Sequence, residues 1–263
     1  MKNNQKRSKT KKAVAAIKNE RYEKIMKILS EKGYASVEGL SRELFVSMPT
    51  VRRDLNTMQD LGLVVRSHGG VVQRLSETDG GPAVFRMGVN SQAKLKLDKA
   101  AAKLLRDNSM VFLDESTTTL HIIDQMSAFK NITVVTNNIS VLQLAAKYRI
   151  PTICLGGETS YDTMSFYGHE AEELITHFGI DIMFFSSSAI TSSSWIADYS
   201  APASALRRRV LRQADMKVFL CDKSKFLKHG AYMLMPLGEA DHIITDAPLP
   251  EELNIGSAHV TVV

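Results

Sequence analysis

The sequence predicts two folded units, a small amino-terminal winged helix-turn-helix and a larger α/β domain with a mainly parallel sheet. Between residues 36 and 72, two short helix patterns with a tight break are followed by a hairpin pattern. From about residue 92, apolar strand patterns alternate with helix patterns, which is typical of βα units. Charge divides in the same way, because residues 1–78 hold 16 Lys/Arg against 8 Asp/Glu, whereas the remainder carries −3. A basic third joined to a mildly acidic body favours a polyanion-binding module on a separate domain.

Residues 1–17 are expected to form a basic tail before the first folded unit. Its composition is polar and rich in lysine, which favours disorder. Such a tail adds salt-dependent contacts to nucleic-acid phosphates, or it only keeps the chain in solution, and the sequence leaves both open. The winged helix-turn-helix domain is expected over residues 18–75, with its first helix over 18–32.

Two further helices follow, each with a recognisable start. Ser36 is a candidate N-cap for the first, because a side-chain oxygen can accept an orphan N–H of the first turn. Ser47 is an equivalent cap for the second, and Pro49 falls in the first turn, where a missing N–H costs little. The apolar stripes of the two helices are Val37, Leu40 and Leu44, then Val51, Leu55 and Met58.

The outward residues of the second helix and of the hairpin are the candidate DNA contacts. The amino-terminal half of a recognition helix enters the major groove, and a hairpin directly after it forms a wing beside the phosphate backbone or minor groove. A generic pair of packed helices with solvated arginines is the alternative. The predicted DNA-binding residues are Ser36, Ser47, Thr50, Arg52, Arg53, Asn56, Arg66 and His68.

A breaker-rich stretch over residues 76–92 is expected to be a linker, and the α/β domain is expected over 93–263. Strands are expected at Met110–Leu113, Ile132–Val135, Thr152–Leu155, Ile182–Phe185, Lys217–Cys221, Asp241–Thr245 and His259–Val263. Helices are expected at about Gln92–Leu105, Thr118–Met126, Ser140–Lys147, Glu170–Phe178 and Ala203–Gln213.

Small, polar or glycine residues follow five of these strands. Ligands of open α/β sheets bind beyond the carboxyl ends of the strands, and hydroxyls with backbone N–H groups at a helix start suit an anion. Any one loop alone reads as an ordinary capped loop, but together they favour a pocket for a small polyhydroxylated anion. The predicted effector-binding residues are Asp114, Ser116, Thr117, Thr118, Thr136, Asn137, Gly156, Gly157, Ser186, Ser187, Ser188 and Lys225.

Both halves resemble the DeoR family of bacterial transcriptional regulators. The resemblance rests on Thr50-Val51-Arg52-Arg53-Asp54-Leu55 followed by His68-Gly69-Gly70, and in the body on Asp114, Thr117-Thr118, Thr136-Asn137, Gly156-Gly157 and Asp222, Ser224, Lys225 and Phe226. It implies a repressor of sugar-metabolism genes that binds a double-stranded DNA operator as a homodimer or homotetramer. It further implies a domain related in fold to sugar-phosphate isomerases, which senses a phosphorylated sugar.

The chain departs from the family pattern at several positions of the body. Ser116 stands where the family has glycine, and Ser186 and Ala189 stand where it tends to have glycines. Where the family usually has Glu and Lys, this chain has Ala203-Ser204-Ala205-Leu206-Arg207 and keeps only the basic residue. Each added side chain narrows the room for a phosphate. A different or smaller effector, or a pocket that binds nothing, therefore stays open. A sugar-phosphate isomerase is the least favoured alternative, because a proton-abstracting base has only Asp114 and Glu115 as candidates.

Other classes of protein are disfavoured. Cys154 and Cys221 lie in apolar runs without metal-site spacing or a disulfide framework, and neither a metal nor a cofactor is expected. The amino terminus lacks the apolar core of a signal peptide. The longest uncharged run, Ile182–Ala197, is too short and too polar to span a bilayer. A cytoplasmic location is expected.

Overall fold

The computed structural model describes residues 20–29, 32, 34–61, 63–67, 70–73 and 83–263. The chain divides into two compact units, Met1–Val89 and Asn90–Val263. Within the described residues, no helix combines the length and the apolar character needed to cross a membrane.

The smaller unit contains the predicted helix-turn-helix and hairpin. Its elements are α1 over residues 20–29, β1 (Tyr34–Ser36), α2 (Val37–Leu44), α3 (Met48–Asp60), β2 (Val64–Ser67), β3 (Gly70–Gln73) and α4 (Ala83–Arg86). The core is formed by the predicted stripes, since Leu40, Val51, Leu55 and Met58 are fully buried together with Ile25 of α1. The helix prediction for 18–32 is confirmed over 20–29 and at 32, and its remaining residues lie outside the described part of the chain.

Strand β1 was not predicted. It pairs antiparallel with β3, so the hairpin becomes a three-stranded sheet in the order β1-β3-β2. Three residues are too few to show an alternating pattern, which explains the miss. Gly70 lies in β3 rather than in the turn, and a Cβ there would come within 2.5 Å of the carbonyl oxygen of Ala35. This glycine therefore permits the close approach of β1.

The larger unit is built on a seven-stranded parallel sheet in the order β15-β14-β12-β9-β4-β5-β6. The strands are β4 (Met110–Leu113), β5 (Thr133–Thr136), β6 (Thr152–Cys154), β9 (Ile180–Phe185), β12 (Ala214–Cys221), β14 (His242–Thr245) and β15 (His259–Val262). Its helices are α5 (Ser91–Ala101), α6 (Ile123–Met126), α7 (Ile139–Tyr148), α8 (His169–Leu174) and α9 (Ala201–Gln213). The prediction of a mainly parallel α/β domain is confirmed.

Two small antiparallel sheets were missed. One is the hairpin of β7 (Glu158–Ser160) and β8 (Ser165–Tyr167), and the other joins β10 (Ala189–Ile190), β11 (Trp195–Asp198) and β13 (Tyr232–Pro236). These strands have only two to five residues each. Strands this short carry little periodic signal.

Several boundaries also differ from prediction, and two of the differences have a clear local form. The predicted linker contains the one-turn helix α4, although residues 76–82 lie outside the described part of the chain. The helix predicted from Thr118 begins instead with a 3-10 turn at Leu120–Ile122, followed by α6. The reason is local, because the hydroxyl of Thr119 donates to Asp114 Oδ1 at 2.8 Å and holds the segment as a loop.

Candidate functional sites

The two central helices of the smaller unit begin with the predicted serine caps. The Ser36 side chain accepts the N–H of Gly39 at 3.0 Å, and the Ser47 side chain accepts the N–H of Thr50 at 3.4 Å. Pro49 lies in the first turn of α3. The hydroxyls of Ser47 and Thr50 lie 2.9 Å apart. The start of α3 is therefore set by side chains that are themselves predicted DNA contacts.

Helix α3 presents a basic face to solvent. Arg52, Arg53 and Asn56 are exposed, whereas Asp54 of the same run is buried, with 1% of its surface exposed. Both Asp54 carboxylate oxygens accept hydrogen bonds from the Arg21 guanidinium on α1, at 2.8 and 3.1 Å. Asp54 thus links α3 to α1, and its negative charge is kept away from the exposed arginines.

The first strand of the hairpin contacts this face directly. Arg66 Nη1 on β2 donates to Asn56 Oδ1 on α3 at 2.8 Å, so two predicted DNA contacts are joined. His68 lies outside the described residues, and its place at the wing tip stays a prediction. Arg66, half-buried, is held on the recognition helix.

The turn between α2 and α3 carries an unusual residue. Phe45 has φ 54° and ψ 40°, a left-handed conformation that costs an L-residue roughly 1–2 kcal/mol. Its ring is held out in solvent, with 94% of its surface exposed. Two hydrogen bonds between Ser41 and Val46 close the turn. The Val46 N–H donates to the Ser41 carbonyl at 3.2 Å, and the Ser41 hydroxyl donates to the Val46 carbonyl at 2.6 Å.

In the larger unit, the loop after β4 is organised around Asp114, which is fully buried. Asp114 Oδ1 accepts from the N–H of Ser116 at 3.1 Å and the hydroxyl of Thr119 at 2.8 Å. Oδ2 accepts from the N–H of Ser186 and from Arg207 Nε, both at 3.0 Å. These four bonds fill the roughly four acceptor positions of a carboxylate. Asp114 therefore shapes the loop, and neither oxygen is left to take a proton from a substrate.

Two lysines approach the hydroxyls that follow β4 and β9. Lys94 Nζ of α5 lies 3.0 Å from Thr117 Oγ1, and Lys94 is only 6% exposed. Lys225 Nζ lies 2.6 Å from Ser186 Oγ and 3.4 Å from Thr118 Oγ1. Two ammonium groups among three hydroxyls form a donor-rich place of the kind that an anion requires. Burial acts to raise the pKa of the nearby Asp222, but Lys225 and Lys94 help to hold it below its usual value, so this carboxylate offsets part of their charge. Lys94 was absent from the sequence prediction.

Arg207 of α9 joins three carboxylates. Besides Asp114, it contacts Asp198 through Nη1 at 2.8 Å and Glu115 through Nη2 at 2.5 Å, and its own side chain is 4% exposed. We call Arg207, Asp114, Glu115 and Asp198 the Arg207 cluster. It ties the loop after β4 to β11 and α9.

The members of this cluster ionise differently. The pKa of Glu115 is raised to about 7, chiefly by burial and also by the neighbouring Asp114 and Asp198, which together outweigh the attraction of Arg207. Glu115 Oε2 is buried without a hydrogen-bond partner. Burial also acts to raise the pKa of Asp198, but Arg207 and the N–H groups of Tyr199 and Ser200 hold it below its usual value. The three carboxylates hold the pKa of Arg207 above its ordinary value despite burial, so it stays charged.

The other predicted effector residues have structural contacts nearby. The Thr136 hydroxyl donates to the Leu113 carbonyl at 2.7 Å, and Asn137 Nδ2 donates to the Phe166 carbonyl at 3.0 Å. The Asn137 Oδ1 atom is buried without a partner. Asn137 therefore joins the end of β5 to β8.

The remaining predicted effector residues are Gly156, Gly157, Ser187 and Ser188. Gly157 has φ 103°, and a Cβ there would lie 2.2 Å from the Tyr167 carbonyl oxygen, so it serves the approach of β8. Gly156 has φ 66° and open space around its Cα. The Ser187 hydroxyl donates within its own loop to the Ala189 carbonyl, and the Ser188 hydroxyl donates to Asp198 Oδ1 at 3.1 Å. Ser188 thus belongs to the surroundings of the Arg207 cluster.

Sequence reasoning missed Lys94, Asp198 and Arg207 as parts of the site. Lys94 could have been found, because Lys94, Leu97, Asp98 and Ala101 share one helical stripe, and all four are buried. Charged residues on a buried stripe need partners. Burial raises the pKa of Asp98 to about 8, although the N–H of His121 and the charge of Lys94 both act to lower it. This carboxyl group therefore holds its proton at neutral pH.

Comparison with known proteins agrees with both units. Residues 21–77 match the family described as DeoR-like helix-turn-helix domain, and residues 89–247 match the DeoR C terminal sensor domain. The L-fucose operon activator of Haemophilus influenzae is 32% identical over 89% of this chain and 94% of its own length. The glycerol-3-phosphate regulon repressor of the same species is 27% identical over 87% and 89%. Ribose 5-phosphate isomerase A from Methanocaldococcus jannaschii has a TM-score of 0.40 and 20% identity over 57% of each chain, too distant to bear on function.

Proposed function

The chain belongs to the DeoR family of DNA-binding transcriptional regulators, and we propose that it represses genes of sugar metabolism. In this proposal the chain binds an operator, and a phosphorylated sugar bound to the larger unit changes its affinity for that operator. The relatives with assigned roles are regulators and not enzymes, and they include both an activator and a repressor. For this chain we propose repression, in which a homodimer or homotetramer binds the double-stranded operator in the cytoplasm.

The observation that carries the DNA-binding part is the division of charge on α3. Arg52 and Arg53 are exposed, while the neighbouring Asp54 is neutralised by Arg21 on the inner side. Arginine donates two parallel hydrogen bonds to guanine, and a carboxylate exposed beside it would repel the phosphates. The helix therefore offers an uninterrupted basic face at its capped end.

The DNA-binding part is tested with Arg52→Ala and Arg53→Ala on an operator selected from random duplexes. Loss of base contacts should cost roughly 1–3 kcal/mol for each variant, measured by fluorescence anisotropy at fixed salt. Arg212→Ala on α9 is the matched control, and it should bind as the unaltered chain does. Unchanged affinity in both α3 variants would refute this reading.

The sensing part is supported by Lys94 and Lys225 among the hydroxyls of Thr117, Thr118 and Ser186. A phosphate accepts hydrogen bonds from such groups, and the sugar hydroxyls suit the polar loops beside them. A ligand that prefers one conformation of the regulator shifts the population toward it and so changes operator affinity.

Thermal unfolding with pentose and hexose phosphates, and with the corresponding free sugars, tests this part. At least one phosphorylated sugar should raise the unfolding temperature and change operator affinity, and Lys225→Met should abolish both effects. Lys228→Met, an exposed neighbour, is the control. No stabilisation by any of these ligands, with operator binding unaltered, would contradict the proposal and favour the alternative of a pocket without a ligand.

Repression and assembly have separate tests. A reporter gene behind the selected operator should be expressed less when the chain is present, and higher expression would assign activation instead. Sedimentation with and without operator DNA should give a dimer or tetramer, because paired half-sites require related copies. A monomer bound to a single half-site would exclude the proposed assembly.

A further inference from the structure

Phe45 combines two unfavourable features in the turn that leads into the recognition helix α3. Its backbone is left-handed at φ 54°, a conformation that is an outlier for a bulky residue and that glycine or asparagine adopts more easily. Its ring also lies in water, with 94% of its surface exposed. Strained backbone of this kind persists mainly where the side chain has a use.

The backbone at Phe45 is fixed by the turn. The Ser41 hydroxyl donates to the Val46 carbonyl at 2.6 Å, and the Phe45 N–H donates to the Arg42 carbonyl at 3.4 Å. Since Phe45 is two residues before the N-cap Ser47, their Cα atoms are at most about 7 Å apart. Phe45 therefore stands beside the end of α3 that carries the predicted base contacts.

The surroundings of the ring favour DNA over an apolar partner. Met48, at the first position of α3, is also 43% exposed, and the exposed Arg52 and Arg53 follow on the same helix. A surface that mixes apolar side chains with guanidinium groups matches the major groove, where the thymine methyl group is the apolar feature among hydrogen-bonding base edges.

We propose that Phe45 is a specificity-determining residue whose ring packs against the 5-methyl group of a thymine in the operator. The contact removes the exposed ring from water and compensates for the backbone conformation. The proposal rests on the operator-binding function described above.

The test is a double-substitution cycle that combines a change of Phe45 with a change of one base in the operator. Asparagine accepts the left-handed conformation, so Phe45→Asn in the full chain should unfold at the same or a higher temperature. Each thymine of the selected operator is replaced in turn by uracil, which lacks only the methyl group. At one position per half-site, the unaltered chain should lose about fourfold in affinity, the effect of one buried methyl group.

Phe45→Asn should bind the thymine operator at least about fourfold more weakly, and the uracil replacement at that position should make no further difference. Leu227→Asn is the matched control, since Leu227 is also left-handed at φ 53° and 42% exposed, and its operator affinity should be unchanged. Equal affinity of Phe45→Asn and the unaltered chain would overturn the proposal, as would equal uracil effects in both. If Arg52→Ala and Arg53→Ala bind normally as well, the operator-binding function itself fails.

Discussion

Replacing Glu115 with glutamine is expected to remove a pH dependence of stability from the larger unit. The pKa of Glu115 rises from 4.5 to about 7 in the folded unit, mainly because the group is buried. At about 1.4 kcal/mol per pH unit, this difference corresponds to about 3 kcal/mol. The folded unit binds this proton more tightly than the unfolded chain does. Stability from this group is therefore highest below about pH 4.5 and falls as the pH rises toward 7.

Glutamine keeps the shape of the protonated side chain and cannot ionise. Glu115→Gln should therefore match the unaltered chain near pH 4 and exceed its free energy of unfolding by up to about 3 kcal/mol at pH 8. Urea unfolding followed by circular dichroism at several pH values measures the difference. Glu251→Gln, at an exposed carboxylate, should shift stability equally at every pH. A constant difference between Glu115→Gln and the unaltered chain from pH 5 to 8 would refute the reasoning.

Three further substitutions probe the contacts that hold each unit together. Arg207→Leu should destabilise the larger unit by about 3–5 kcal/mol in urea unfolding, because it leaves buried carboxylates without a cation, and a loss under 1 kcal/mol would contradict the cluster. Ser47→Ala should cost the smaller unit about 1 kcal/mol through the lost cap, and unchanged stability would show that the cap is redundant. Asp54→Asn should cost about 1–3 kcal/mol by weakening its paired bonds to Arg21, while operator affinity at low temperature is retained. A large affinity loss without a stability loss would assign Asp54 to DNA instead.

The smaller unit could be predicted well because its signals are local. A serine cap, a proline in the first turn and an apolar stripe each act within one or two helical turns, and the structure confirms Ser36, Ser47 and Pro49 in these places. The partner of Asp54 could not be predicted. Arg21 is 33 residues away, and nothing in the local pattern pairs the two.

In the larger unit, too, the local elements could be predicted and the distant side-chain contacts could not. Its seven strands were predictable because buried parallel strands read as short apolar runs, and parallel pairing brings their carboxyl ends to one edge. The Arg207 cluster was not, because Arg207 lies 93 residues from Asp114 and reaches it only through the folded sheet. The loop conformation of Thr118 and Thr119 was not predicted, since hydrogen bonds of Asp114 to the loop prevail over helix formation there.

The Arg207 cluster also limits how the chain can change over generations. One guanidinium neutralises carboxylates from two separate segments, the loop after β4 and strand β11, so replacing Arg207 alone leaves buried charge without a partner. A neutral residue at 207 is tolerable only where 114 and 198 have lost their charge too, whereas Glu115, with its pKa raised to about 7, can be replaced alone. Positions 114, 198 and 207 are therefore expected to be inherited as a set among relatives.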